Sequence, residues 1–315
     1  MENIYTMDWH IHTLASYDAT MSYKELIKST KEGGIVEFGI TEHADHIFDL
    51  AVLEFSRKMF ETIRWQHRDE ELNMHFGVEL SPMCDFMYRY EREQKWSNVY
   101  PGQLAGLLPE FVEGFGTHDP ELVRRSRQEI KPYMLSLTEE QIRKLGIEYV
   151  IGAAHNVYDG STEREGLINH FHEQMMFCAT DERVDIVGHP WWGLWTTEIH
   201  FETIETGEPT KRAWYQDFKV IPQAMHDEFA AAVLENGKCV EMNMSSLRSG
   251  PYSDKFRHQY VEYMRDLFEK GVPITTGTDS HDVYENHQEL YAKFLKPAGF
   301  KAEDFSKPKF RTYEK

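Results

Sequence analysis

Histidines and carboxylates recur at the ends of short apolar runs along this chain, and that placement is its clearest chemical signal. The run from Ile4 to Met7 leads into Asp8-Trp9-His10-Ile11-His12. Residues two apart on an extended strand point to one face, so His10 and His12 present their imidazoles side by side. The run Phe38–Thr41 leads into Glu42-His43-Ala44-Asp45, Met74–Val78 into Glu79, and Tyr149–Ala154 into His155. Val184–Gly188 leads into His189-Pro190, and Pro273–Thr278 into Asp279-Ser280-His281. A lone His-x-His is a weak signal, but chance does not readily end six apolar runs in this way. A seventh run, Cys239–Asn243, ends in polar residues of another kind. Imidazoles mixed with carboxylates suit Zn²⁺, Mn²⁺ or Fe²⁺, and the absence of cysteine among them excludes a structural thiolate site.

These segments resemble the PHP (polymerase and histidinol phosphatase) family, in particular its histidinol-phosphatase-like members. The matching residues are His10-Ile11-His12 with Asp18, Thr41 to Asp45, Gly77-Val78-Glu79, Gly152 to His155, Gly188-His189-Pro190, Val240 to Ser246, and Thr278 to His281, in the family's order. Glu42 stands where the family usually has Asp, and the segment between Glu79 and His155 has no recognised counterpart. The resemblance implies an α/β fold, a distorted (β/α)7 TIM-like barrel with its metal site at the C-terminal ends of the strands. It implies two to three divalent ions (Zn, Mn or Fe) in three ligand groups: His10, His12, Glu79 and Asp279; Glu79, His155 and His189; and Asp18, His43 and His281. The second group shares Glu79 with the first because a carboxylate has one oxygen for each ion. Glu79, Asp279 and His281 are the residues assigned to catalysis.

The activity that follows is hydrolysis of a small phosphomonoester, in which water bridging two dications is acidified and attacks phosphorus. Arg248 is a candidate phosphate clamp, since guanidinium binds such oxygens bidentately. Asn243 and Glu241 are expected to orient ligands or substrate. Trp191, with Trp192 and Trp195, either walls a pocket for a ring-bearing leaving group or covers the barrel rim. The same metal set would also serve a phosphodiesterase acting on short or cyclic nucleotides. A catalytically silent scaffold is a further reading, disfavoured because such a domain would be expected to lose ligands. His67, His75, His118, His170, His172, His200, His226 and His258 are assigned to packing or surface roles, while His46 and His287, close to ligand segments, are left open.

The elements that must position these groups alternate between strand and helix. Ser22-Tyr23-Lys24-Glu25 reads as a capping box opening a helix that stops at Gly33-Gly34. Ala51–Glu71 has helical spacing, with Leu53, Phe55, Phe60 and Ile63 available for burial. Thr162-Glu163-Arg164-Glu165 reads as a second capping box, and Pro222–Glu235 and Asp254–Lys270 as further helices, the last with a core stripe of Phe256, Tyr260, Tyr263, Met264 and Leu267. Strands alternating with helices imply a parallel sheet closed as a barrel, with ligands at its carboxyl ends. One domain spanning residues 1–315 is expected, with an insertion at about 82–140, read as a surface subdomain or a substrate lid, and a second excursion at about 191–212.

Composition narrows the partners. A formal net charge of −19 offers no basic track for a polyanion, so no polymeric nucleic acid is expected and a small-molecule phosphate ester is. The lack of a long apolar run predicts no membrane span. Three widely spaced cysteines and an N-terminus unlike a signal peptide predict a cytoplasmic protein. Neither a Gly-x-Gly-x-x-Gly loop nor a Gly-x-Ser-x-Gly elbow is present, which removes support for dinucleotide and serine-hydrolase chemistry.

Overall fold

The computed structural model describes residues 6–93, 124–125, 127–155, 158, 163–194, 216–248, 252–284 and 287–313. Seven parallel strands form one sheet in sequence order: β1 Met7–Asp8, β2 Glu37–His43, β3 Asn73–Leu80, β4 Tyr149–Gly152, β5 Ile186–Val187, β6 Cys239–Asn243 and β7 Ile274–Gly277. The first strand returns to the last. Trp9 N–H donates to Thr276 O at 3.0 Å, Asp279 N–H to His10 O at 2.7 Å, and His12 N–H to Ser280 O at 2.9 Å. The expected distorted (β/α)7 barrel is therefore observed, with its closing seam running through ligand-bearing segments.

The helices are α1 Tyr23–Gly33, α2 Leu50–Gln66, α3 Asp85–Glu93, α4 Glu139–Leu145, α5 Arg164–Thr180, α6 Gln223–Glu235, the short α7 Met244–Arg248, and α8 Asp254–Glu269. Ser22 caps α1 in a full capping box, and Gly34 ends it in the left-handed region at φ 73°. The helix α5 departs from expectation, since its N-cap is Glu163 and no side chain caps it. Thr138 and Gln141 form a capping box on α4 that the sequence reading passed over. The apolar stripe of α8 is buried as expected. In α2, Leu53 and Phe60 are buried, but Phe55 points to solvent, one position off the buried face.

Below the strands' amino ends lies a floor of large side chains. Trp9, Tyr149, Ile151 and Ile186 pack together with Phe310, whose ring stacks on His75 at 4.1 Å. The segment after residue 297 thus packs under the barrel. Ser306 N–H donates to Ile274 O, Arg311 N–H to Glu148 O, and the Arg311 guanidinium pairs with Asp185 at 2.8 Å. Tyr149 is wedged across the barrel with its hydroxyl donating to Trp9 O at 2.7 Å, and it occupies space left by Gly39. Among the described residues no helix is long and apolar enough to cross a membrane. Most of the expected 82–140 insertion and of the 191–212 excursion, including Trp195, lies outside the described residues. The described part of the former packs Met83, Cys84, Phe86, Met87 and Tyr133 into a small cluster with Tyr158.

A methyl group on Gly39 would fall on the Tyr149 hydroxyl. Gly39→Ala is expected to destabilise the barrel by about 1–3 kcal/mol through overpacking, read as a lower urea midpoint at unchanged m-value. An unchanged midpoint would mean that the Tyr149 ring is not held in place.

Candidate metal centre

The ends of the strands, with Asp18 from the loop after His12, bring nine side chains named from the sequence into one cluster. His10 and His12 lie just beyond β1, where the bridge between Ile11 and Ser280 keeps the chain extended. Their Nε2 atoms are 3.0 Å apart. Glu79, near the end of β3, is 1% exposed and stands at the middle. Its Oε2 faces His43 Nδ1 at 3.0 Å, His10 Nε2 at 3.2 Å and His12 Nε2 at 3.4 Å. Its Oε1 faces His189 Nε2 at 3.1 Å and His155 Nε2 at 3.5 Å. Asp279 Oδ1 lies 3.4 Å from His12 Nε2 and 3.6 Å from His10 Nε2. At the more open edge, Asp18 Oδ2 sits 3.3 Å from His281 Nε2 and 3.4 Å from His43 Nε2.

A second ring of groups fixes the tautomers. Glu241 Oε1 accepts from His10 Nδ1–H at 2.8 Å, while its Oε2 accepts the His189 backbone N–H at 2.8 Å. Ser16 Oγ spends its one proton on Glu42 Oε2 at 2.7 Å, so it accepts from His12 Nδ1–H and from the His43 backbone N–H, each at 3.1 Å. His281 Nδ1–H donates to Asp279 O at 3.0 Å, and His155 Nδ1 meets Ser81 Oγ at 2.7 Å. With Nδ1 committed outward, the Nε2 atoms of His10, His12 and His281 turn lone pairs inward.

Neutral imidazoles so arranged would set lone pairs against carboxylate lone pairs, and positive charge must intervene. Burial opposes a charge on His10, yet Glu241, Glu79 and Asp279 outweigh it and raise its pKa well above the ordinary value. Burial likewise opposes charge on His43, and Glu79 and Asp18 raise it. Glu79 and Asp279 resist the upward pull of burial and stay well below the usual carboxylate range because of the histidines around them. His155 is the exception, since burial lowers it to about 4. A divalent ion meets the same demand. Ligand atoms about 2.0–2.2 Å from a tetrahedral ion lie about 3.3–3.6 Å from one another, close to the spacings around both Glu79 oxygens. Three groups have ligand atoms converging within 4.8 Å: His10, His12 and Asp279; Glu79, His155 and His189; and His12, His43 and His281. The donor set fits metal.

One assignment is corrected and another is narrowed. Trp191 is 1% exposed and packs in the core between α5 and α6, stacked on His172 at 5.9 Å and edge-on to His226, so it walls no pocket. Its backbone is in the left-handed region at φ 68°, which turns the ring away from the strand ends. Asn243 faces Asp279 rather than open space: its Nδ2–H donates to Asp279 Oδ2 at 3.2 Å and its Oδ1 accepts from Ser246 N–H at 2.9 Å. It positions a ligand instead of contacting substrate. Arg248 ends α7 with its side chain exposed. Ser16, Ser81 and Tyr17 were not singled out from the sequence; their only signal was adjacency to ligand residues.

The PHP domain model matches residues 8–245. The histidinol phosphate phosphatase of Lactococcus lactis subsp. lactis, solved with zinc, L-histidinol and phosphate, is similar in fold, with 15% identity, 94% of each chain covered and a TM-score of 0.57. The 2,6-dihydroxybenzoate decarboxylase from Rhizobium shares 11% identity over 95% of this chain and 94% of its own, at a TM-score of 0.39. A Bifidobacterium adolescentis structure assigned as a metal-dependent phosphoesterase shares 12% identity over 91% of this chain and 96% of its own, at 0.32. No curated protein matches the chain.

Glu241 holds one histidine of the first group and the backbone of another in the second. Glu241→Ala is expected to weaken zinc affinity by about 10–100-fold, measured by competition with a chromogenic chelator. Wild-type affinity in the variant would show that Glu241 supports neither group.

Proposed function

The chain belongs to the PHP domain family, and from that premise we propose that it hydrolyses a small phosphomonoester, as a histidinol-phosphatase-like enzyme with two to three divalent ions of Zn, Mn or Fe. The observation that carries this reading is Glu79, whose two oxygens face two different sets of imidazoles. His10, His12, Glu79 and Asp279 would hold one ion, Glu79, His155 and His189 a second, and Asp18, His43 and His281 a third. When bound, such ions supply Lewis-acid stabilisation of phosphoryl oxygens and make water acidic near neutral pH.

The protein's own residues do the positioning. Glu79 keeps two ligand groups at a fixed separation because β3 is paired with β2 and with β4 along its carboxyl end. Asp279 is turned inward by a backbone at φ 54° and steadied by Asn243. His281, half-buried, and Asp18, exposed, lie at the opening, where an incoming phosphate first meets the cluster. Arg248 would approach the phosphate oxygens from the end of α7. The acidic surface, with a formal net charge of −19, repels polyanions, while a compact dianion complements a cluster whose divalent ions would carry more positive charge than its carboxylates carry negative. Cys84, Cys178 and Cys239 are buried and unbridged, which suits a reducing compartment such as the cytoplasm.

Two measurements test the assignment. Glu79→Ala removes a ligand from two ions and is expected to cost several kcal/mol of transition-state stabilisation, about a thousandfold or more in kcat, with loss of bound metal by elemental analysis. Asp18→Ala is expected to be milder. Wild-type activity in both variants would overturn the ligand assignment. For metal-loaded protein, kcat/KM for p-nitrophenyl phosphate should exceed that for bis-p-nitrophenyl phosphate; faster diester cleavage would move the function to a phosphodiesterase.

A further inference from the structure

The four residues that follow His43 are each gripped by groups from later in the chain. Ala44 N–H donates to Glu79 O at 2.9 Å, and Ala44 O accepts from Ser136 Oγ–H. Asp45 Oδ1 accepts from Ser81 N–H at 3.1 Å. His46 Nδ1–H donates to Glu91 Oε1 at 2.6 Å, and Ile47 N–H donates to Glu91 Oε2 at 2.8 Å. Glu91 lies on α3 with its side chain fully buried, although the next two residues of that helix are exposed. Glu91 and Ser136 stand on the two described flanks of the 82–140 stretch, and those flanks pair with each other. Met83 and Met134 exchange backbone hydrogen bonds at 2.7 and 2.9 Å, and Asp85 N–H donates to Ile130 O at 2.9 Å.

A carboxylate that accepts from one residue's imidazole and from the next residue's N–H fixes both the ring and the course of the loop. Burial works against charge on His46, yet the Glu91 carboxylate outweighs it and raises the pKa to about 9. Removing Glu91 would strip the acceptor from Ile47 N–H and from a half-buried imidazolium. His43 is the last residue of β2, so the course of residues 44–47 sets where its imidazole stands. A ligand constellation works only if its side chains are held within about 0.5 Å. We propose that Glu91 is a positioning residue for the metal centre. Through His46 and Ile47 it holds the loop behind His43, so the 82–140 stretch braces a ligand group instead of only covering the barrel. The proposal rests on reading the cluster as a metal centre.

Amide hydrogen exchange on metal-free protein reads the brace directly. In Glu91→Ala the amides of residues 44–50 are expected to exchange about tenfold faster than in wild type, with those of β6 unchanged. Zinc titration against a chromogenic chelator reads the consequence: the weakest-bound ion should lose about tenfold in affinity, and the tighter ions little. The kcat lost at low zinc should return at saturating zinc, which a general loss of folding would not allow. Glu91→Gln keeps the shape without the charge and should fall between wild type and Glu91→Ala. Glu93→Ala, exposed two positions further along α3, should match wild type. Unchanged exchange in residues 44–50 overturns the brace, as does faster exchange with every zinc affinity unchanged. Either result leaves the metal centre and the phosphatase reading intact. Wild-type protein that binds no zinc overturns the metal-centre reading, and this proposal with it.

Discussion

A fully buried carboxylate with imidazole nitrogens on both oxygens is the constraint on which the structure depends. Glu79 stands near the end of β3, 1% exposed, with no described hydrogen-bond donor properly aligned on Oε2. Burying such a charge unpaired costs several kcal/mol. The fold meets that cost by delivering histidines from β1, β2, β4 and β5 to the same point. A parallel barrel suits this task, because every strand ends on the same face and each ending contributes one or two side chains.

Convergence alone would leave the imidazoles free to turn. The surrounding groups prevent it, and most of them are buried acceptors with a single geometric use. Glu241 ties His10 to the backbone of His189, and Gly277 leaves room for its carboxylate. Glu42 receives Ser16 Oγ–H, Thr13 N–H at 3.1 Å and Thr13 Oγ1–H, which locks the loop between His12 and Asp18. The Glu at this position, where the family usually has Asp, thus acts through the loop and not as a ligand. The barrel floor completes the frame, since Tyr149 and Phe310 set the strand spacing beneath the cluster.

Much of this was legible without coordinates. The strand endings, the parallel alternation, the α1 cap and the α8 stripe all have local causes: two-residue and 3.6-residue periods, capping chemistry, and apolar runs bounded by turns. Eight of the nine candidate ligand residues could be named for the same reason, each sitting where a strand stops, while Asp18, on the loop after His12, was named from the family resemblance. Phe55 and Trp191 were misread because local pattern does not say which face of a helix, or which side of a strand end, the rest of the chain will cover.

The sequence by itself determined the inventory: seven apolar strands, the histidines and carboxylates at their ends, and an acidic exterior of −19. Tertiary structure decided which atoms meet. That Glu79 divides its oxygens between two sets of histidines, that Asn243 serves Asp279, and that Glu241 joins His10 to His189 depend on contacts between residues up to 231 positions apart. Side-chain direction at a strand end is set by barrel closure and by backbone turns such as that at Asp279, where φ is 54°. No local rule carries that information, because the force that selects it, pairing of buried charge, acts only once the strands have come together.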